Sequence, residues 1–161
     1  MHKSILTLER PSPFIPNMNQ TTAKELKQER PEIARAEVVC LVDDDPSVRK
    51  SVSRLLESDG FSVFAFSEPE AFLNHMTTNS VPVAVLDIWM ESMTGMELLA
   101  HLCAKSPQTR VIFITGHEDR AAEATVMSAG AFAFLIKPFD DHQFLSAVHR
   151  ALGHSVPEKT A

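Results

Sequence analysis

The chain has 161 residues, of which 44% are hydrophobic and 22% charged, and this composition is typical of one globular domain with a sizeable core. Its net charge of −6, without a block rich in lysine and arginine, argues against direct binding to a nucleic acid backbone. Nucleic-acid binding proteins are therefore an unfavoured class.

The sequence also gives no signal for a membrane segment or for secretion. No apolar stretch approaches the roughly 20 residues that a membrane helix needs. The first residues lack the continuous apolar segment of a signal peptide. Cys40 and Cys103 lie in apolar runs without the spacing of a metal site, so we expect two buried, reduced thiols and a cytoplasmic protein.

The first 36 residues differ from the rest in composition. Prolines interrupt them repeatedly, and residues 21–36 are mostly polar. We therefore expect a flexible N-terminal extension over residues 1–36, with at most a short, marginal helix over residues 22–29. A single domain is expected over residues 37–153 and a C-terminal tail over residues 154–161.

From residue 37 onward, short apolar runs alternate with amphipathic segments. The apolar runs predict five strands, over residues 38–42, 61–66, 82–86, 111–114 and 132–136. The amphipathic segments predict five helices. The first runs from Pro46 to a terminating Gly60, and the second follows a capping box at Ser67-Glu68-Pro69-Glu70. The third begins at Gly95, the fourth covers residues 119–129, and the last is capped by Asp140 or Asp141.

Five β/α repeats with nearly continuous apolar strands indicate an α/β fold. Strands buried on both faces form a parallel sheet with helices on either side, joined by right-handed crossovers. We expect a doubly wound sheet. In such sheets, ligands bind at the carboxyl ends of the strands.

Polar residues follow four of the predicted strands. They are Asp43 and Asp44 after the first, Asp87 after the third, Thr115 after the fourth and Lys137 after the fifth. Neighbouring carboxylates repel one another unless a cation lies between them, and an all-oxygen cluster suits Mg²⁺. With a lysine and a hydroxyl nearby, these residue types are those of phosphoryl transfer to an aspartate.

With these residues in place, the chain resembles the receiver domains of bacterial two-component response regulators. The resemblance covers about residues 38–152 and rests on the segments LVDDD, AVLDIWMESMTGMELL, VIFITGH and GAFAFLIKPF, in that order. VIFITGH is most similar to receivers of nitrogen-fixation-type regulators, which carry a DNA-binding domain, whereas we expect no attached output domain here. The resemblance implies a flavodoxin-like (βα)5 fold with strand order 2-1-3-4-5.

The resemblance also implies a role for each residue of the site. Asp87 corresponds to the phosphoacceptor, and Lys137, often followed by a cis peptide bond, pairs with the phosphoryl oxygens. Thr115 binds one of these oxygens after phosphorylation, and Phe134 changes its rotamer with it as a switch. The implied Mg²⁺ ligands are Asp44, Asp43 through water, Asp87 and the backbone carbonyl of Trp89.

The implied function is a signalling switch rather than an enzyme, since its only reactions are its own phosphorylation and dephosphorylation. A histidine kinase or phosphotransfer protein is the expected donor. A downstream protein or a second copy would bind the face formed by the fourth helix, fifth strand and last helix, without direct contact to nucleic acid or membrane.

Trp89 and His117 near the site predict a long-lived phosphoaspartate. In the loop after Asp87, Glu91 stands where the family commonly has a proline.

Simpler and rival interpretations remain for these motifs. Asp45 is expected to be only a helix cap, and Glu91, Asp141, His101 and His117 surface residues. A haloacid-dehalogenase-type phosphatase also uses an Asp-x-Asp, which Asp43 and Asp45 supply. A flavodoxin-like cofactor binder shares the fold but needs a phosphate loop that this chain lacks. The chain is alternatively the receiver part of a DNA-binding transcription regulator.

Overall fold

The computed structural model describes residues 35–156. The predicted extension over residues 1–36, including its short helix at 22–29, lies outside the described residues except for its last two positions. The same holds for residues 157–161 of the predicted tail. None of the helices within residues 35–156 combines the length and apolar character needed to cross a membrane.

Each of the predicted strands and helices is present in the described part of the chain. The strands are β1 (Val38–Val42), β2 (Ser62–Phe66), β3 (Val83–Asp87), β4 (Arg110–Thr115) and β5 (Ala133–Ile136). The helices are α1 (Pro46–Ser58), α2 (Pro69–Met76), α3 (Gly95–Lys105), α4 (Arg120–Ser128) and α5 (Asp141–Ala151).

The strands form one parallel sheet in the order β2-β1-β3-β4-β5. Val42 lies opposite Leu86, and Asp87 lies opposite Ile114, so β1, β3 and β4 end at nearly the same level. This confirms the predicted doubly wound, flavodoxin-like fold. The register places the residues that follow these strands at one edge of the sheet, which we call the carboxyl edge.

The core consists of two layers, one on each face of the sheet. Val39 and Leu41 of β1 pack in the layer covered by α1 and α5, whereas Cys40 and Val42 pack in the layer covered by α2, α3 and α4. All four side chains are fully buried. Burial on both faces explains why the strands are apolar at successive positions instead of alternating with polar residues.

The helix starts confirm one predicted cap and correct another. Asp45 caps α1 as expected, since its carboxylate accepts hydrogen bonds from the N–H groups of Ser47 and Val48. The capping box predicted at Ser67-Glu68-Pro69-Glu70 is wrong. Proline is favoured at the first helical position, so α2 begins at Pro69 and its cap falls on Glu68, whose side chain makes no capping hydrogen bond.

A capping box does occur at the start of α3, where Thr94-Gly95-Met96-Glu97 has the Thr-x-x-Glu spacing that such a box requires. Thr94 Oγ1 accepts a hydrogen bond from the N–H of Glu97, and Glu97 Oε2 accepts one from the N–H of Thr94. The two bonds satisfy backbone donors that a helix start otherwise leaves unpaired. They fix the point at which the loop after β3 becomes helix.

The expectation of two buried thiols holds for one cysteine only. Cys40 in β1 is fully buried, and burial raises the pKa of its thiol to about 12. Cys103 is exposed. The apolar run around Cys103 belongs to the amphipathic helix α3, whose buried stripe contains its neighbour Leu102, and the next position turns toward the surface.

Gly95 allows the start of α3 to pack closely against the end of β3. Its N–H donates a hydrogen bond to the carbonyl of Ile88 at 2.8 Å. A Cβ atom at this position would overlap the backbone oxygen of Asp87 and lie 2.9 Å from Phe113 Cε1. It would also lie 3.0 Å from the Cα atom of Ile88. Because two of these three neighbours are backbone atoms, a side chain at residue 95 would displace the strand end that carries Asp87.

We expect Gly95→Ala to lower the free energy of unfolding by about 1–3 kcal/mol, as overpacking of a rigid site does. Urea denaturation at neutral pH measures the difference. Gly116→Ala is the matched control, because a Cβ atom there meets nothing within 4 Å. Equal stability of the two variants would contradict this account of Gly95.

Candidate functional site

Three carboxylates meet at the carboxyl edge. Asp43 directly follows β1, and Asp87 is the last residue of β3, the neighbouring strand. Asp43, Asp44 and Asp87 each place a carboxylate oxygen so that the three atoms lie within 4.8 Å of one another. The structure thus brings together the acids that the sequence placed at separate strand ends.

Lys137 supplies a positive charge to this cluster. It follows β5, and its Nζ atom lies 2.8 Å from Asp43 Oδ2 and 4.0 Å from Asp87 Oδ1. Its backbone N–H donates to the carbonyl of Thr115 at 2.7 Å, and its peptide bond to Pro138 is cis, as the resemblance implied. The lysine is therefore directed across the edge of the sheet toward the acids.

Asp43 is held rigidly on all sides. Its side chain is fully buried, with Oδ2 paired to Lys137 and Oδ1 accepting a hydrogen bond from the N–H of Asp45 at 2.9 Å. The guanidinium of Arg49 donates to the Asp43 carbonyl at 2.7 Å. The sequence patterns did not indicate Arg49, because an arginine one turn into an amphipathic helix resembles any surface residue.

Asp87 is the carboxylate of the cluster whose pKa is raised most clearly by its surroundings. Burial raises the pKa of its carboxyl from an ordinary 3.8 to about 6; the positive charge of Lys137 lowers this pKa, and the negative charge of Asp43 raises it further. Its side chain is 11% exposed. At neutral pH it is mainly a carboxylate, in a position that a small group can reach from solvent.

The donor set fits a hard divalent cation. The three carboxylates offer only oxygen, and Mg²⁺ prefers oxygen ligands and retains several waters. Asp44 is exposed, so the cluster opens to solvent on its side. Receiver domains generally bind Mg²⁺ in such an acidic pocket, and this chain has the corresponding cluster of aspartates.

Thr115 and Phe134 lie on the strands next to the acids. Thr115 is the last residue of β4 and is 1% exposed, and its Oγ1 accepts a hydrogen bond from the N–H of His117 at 3.2 Å. Phe134 is half-buried in β5 and packs against the core layer of α2, α3 and α4. The hydroxyl of Thr115 is thus engaged with its own loop in this structure.

The loops beside the site carry the remaining residues singled out from the sequence. Trp89 is 43% exposed and lines a shallow hollow of about 640 Å³ together with His117, Glu118, Asp119 and Arg120. Glu91, Asp141, His101 and His117 are exposed, as expected for surface residues. Asp140 caps α5 by accepting a hydrogen bond from the N–H of Gln143.

The raised pKa of Asp87 predicts a specific pH dependence of stability in metal-free buffer. Between the unfolded and folded pKa values the folded state binds more protons, so stability falls as pH rises from about 4 to about 6. Asp87→Asn removes this carboxylate. With a chelator present, we expect it to be more stable than the native chain by about 2 kcal/mol at pH 8, and the difference to shrink toward pH 4.

Urea denaturation across this pH range measures the difference, with Glu57→Gln on the exposed side of α1 as the control. A constant difference between native and Asp87→Asn proteins at every pH would show that Asp87 is not the titrating group.

Comparison with known proteins places this site in a family. The family model for the response regulator receiver domain matches residues 39–149. The response regulator protein TodT of Pseudomonas putida is 36% identical over 118 residues, which are 73% of this chain and 52% of TodT. The transcriptional regulatory protein FixJ of Azorhizobium caulinodans is 38% identical over 120 residues, which are 74% of this chain and 57% of FixJ.

Solved structures give the same result. The crystal structure of FixJ-N superposes with a TM-score of 0.69 at 38% identity and covers 76% of this chain and 98% of its own. The beryllofluoride-activated NtrC4 receiver domain dimer has a TM-score of 0.69 at 31% identity and covers 72% and 96%. The chain spans little more than half the length of the curated relatives described here. By sequence, fold and the cluster at its carboxyl edge, the chain belongs to the family of response regulator receiver domains.

Proposed function

We propose that this receiver is a switch that accepts a phosphoryl group on Asp87 from the phosphohistidine of a histidine kinase or phosphotransfer protein. The observation that carries this assignment is the meeting of Asp43, Asp44 and Asp87 with Lys137 at the ends of three different strands. An ion pair that served stability alone would need only Asp43 and Lys137. The additional partly accessible carboxylate is what a phosphoacceptor requires.

The transfer itself requires an ionised, accessible Asp87. A carboxylate oxygen of Asp87 attacks phosphorus, the new P–O bond forms as the P–N bond breaks, and the bonding electron pair leaves with the imidazole, which then takes up a proton. A pKa of about 6 keeps Asp87 mainly deprotonated at neutral pH. Lys137, 4.0 Å from Asp87, is placed to pair with the negative oxygens of the transferring group.

Asp43, Asp44, Asp87 and the Trp89 carbonyl would hold Mg²⁺ in this site. When bound, the ion neutralises negative charge that collects on the phosphoryl oxygens during transfer. Asp43 has a fixed orientation before the ion binds, because the N–H of Asp45 and the Nζ atom of Lys137 hold both of its carboxylate oxygens. We assign the chain no enzymatic reaction beyond its own phosphorylation and dephosphorylation.

Phosphorylation would reach a partner through Thr115 and Phe134. The Thr115 hydroxyl would exchange its bond with the His117 N–H for one with a phosphoryl oxygen, and the half-buried Phe134 would turn inward. The face formed by α4, β5 and α5 would then repack. Met127 in α4 and Ile136 in β5, which are 41% and 38% exposed, offer apolar surface there for a downstream protein or a second copy.

The similarity to FixJ, named a transcriptional regulatory protein, favours one second candidate for the output. In this second candidate function, the phosphorylated receiver controls a DNA-binding activity instead of an independent partner protein. The net charge of −6 still argues that this chain does not itself contact the DNA. Phosphorylation of Asp87 is the first step in both cases.

A phosphatase of the haloacid dehalogenase type is disfavoured by the geometry. Its nucleophile would be Asp43, whose side chain is fully buried and bound at both oxygens. The acidic pair it would require, Asp140 and Asp141, is occupied at the start of α5, where Asp140 caps the helix. Asp87 would also have no role in that chemistry.

Incubation with an acyl phosphate or phosphoramidate in the presence of Mg²⁺ should add the mass of one phosphoryl group to the native chain. We expect no gain in Asp87→Asn, an undiminished gain in the exposed control Asp141→Asn, and a strongly reduced gain when a chelator replaces Mg²⁺. Intact-mass spectrometry reports each result. An equal gain in the native and Asp87→Asn proteins would refute Asp87 as the phosphoacceptor.

Trp89 is expected to prolong the life of the phosphorylated form. Its large ring lies two residues beyond Asp87 and lines the hollow beside the site with His117, so it limits the approach of water to the phosphoryl group. Trp89→Asn should shorten the half-life several-fold, measured by loss of the phosphoryl mass after the donor is removed. Phe64→Asn, at an exposed aromatic on β2, is the control, and equal half-lives in all three proteins would exclude this shielding.

A further inference from the structure

Asp44 is the one acid of the cluster whose side chain is not held in place. Asp43 has both carboxylate oxygens bound, and Asp87 is buried at the end of β3. Asp44 is exposed, and its carboxylate makes no hydrogen bond or ion pair within residues 35–156. One of its oxygens nevertheless lies within 4.8 Å of the other two carboxylates. The backbone must therefore direct this side chain.

The two peptide groups that flank Asp44 are both fixed by hydrogen bonds. The carbonyl of Asp43 belongs to the peptide group before it and accepts a hydrogen bond from Arg49 Nη1 at 2.7 Å. The N–H of Asp45 belongs to the peptide group after it and donates to Asp43 Oδ1 at 2.9 Å. Because peptide groups are planar, fixing both of them sets the φ and ψ of Asp44 and thus the direction of its side chain.

The contact made by Arg49 is not a by-product of an ion pair. Arg49 is half-buried in the first turns of α1, and its guanidinium lies within ion-pair distance of no carboxylate in the described part of the chain. Its nearest partner is instead a backbone carbonyl six residues earlier. A hydrogen bond from a charged donor is stronger than one between neutral groups, so this contact can hold a peptide group that is otherwise open to water.

We propose that Arg49 is a positioning residue for the cation site. By holding the peptide group between Asp43 and Asp44, it keeps the Asp44 carboxylate directed at the place where Mg²⁺ would bind. This inference rests on the proposed function of the site. Mg²⁺ demands nearly ideal octahedral geometry, so a ligand that is free to turn away weakens its binding.

The proposal predicts an effect opposite in sign to that of charge alone. A positive guanidinium near the site repels a cation, so its removal would strengthen Mg²⁺ binding if charge were its only contribution. If Arg49 positions Asp44, its removal weakens binding instead. The direction of the change in affinity therefore distinguishes the two roles.

Titration of the full chain with Mg²⁺, followed by the fluorescence of Trp89, the single tryptophan, measures this affinity. Arg49→Met should raise the dissociation constant about tenfold, as loss of a partner that orients a metal ligand does. Arg49→Lys should give an intermediate value, because lysine keeps the charge but lacks the planar fork of arginine. Arg54→Met, at an exposed arginine of α1, should match the native chain.

A second measurement tests the positioning without metal. In ¹⁵N relaxation experiments on the metal-free proteins, the order parameters of the Asp44 and Asp45 N–H groups should be close to the roughly 0.85 of a rigid backbone in the native chain. They should fall in Arg49→Met and stay unchanged in Arg54→Met. Circular dichroism confirms that each variant is folded.

Unchanged or tighter Mg²⁺ binding by Arg49→Met would overturn the proposal, and so would unchanged order parameters at Asp44 and Asp45. If the native chain still binds Mg²⁺ and is phosphorylated on Asp87, either result refutes the role of Arg49 alone. A native chain that binds no Mg²⁺ would refute the cation site of the proposed function together with this inference.

Discussion

Electrostatic repulsion among three carboxylates at the carboxyl edge is the constraint on which the site depends. Lys137 offsets it unevenly, since its Nζ atom lies 2.8 Å from Asp43 but 4.0 Å from Asp87. Asp43 is therefore compensated and fixed, whereas burial, and to a lesser degree the charge of Asp43, raise the pKa of Asp87 to about 6 despite the opposing effect of Lys137. A bound cation relieves the remaining repulsion. The metal-free fold thus contains the energetic reason for ligand binding at Asp87.

The parallel sheet turns this chemistry into a defined geometry. Asp43 and Asp87 are close because Val42 and Leu86 are paired in register, and Lys137 reaches them because its N–H is bonded to the last carbonyl of β4. Gly95 lets α3 pack directly on the backbone of Asp87. A shift of β3 by one residue would reverse the faces of its side chains and move Asp87 away from the other acids. The strand register that packs the core therefore also sets the geometry of the site.

Much of this arrangement could be predicted from the sequence, because the residues that form it carry strong local signals. Five apolar runs indicated the strands, and the polar residues that follow four of them indicated the site. The features that were predicted wrongly or missed depend on exact residue positions or on contacts between segments. The cap of α2 lies one residue later because of Pro69, and Cys103 is exposed because only one stripe of α3 is buried. Gly95 and Arg49 act through contacts with backbone atoms of other segments, which no local sequence pattern specifies.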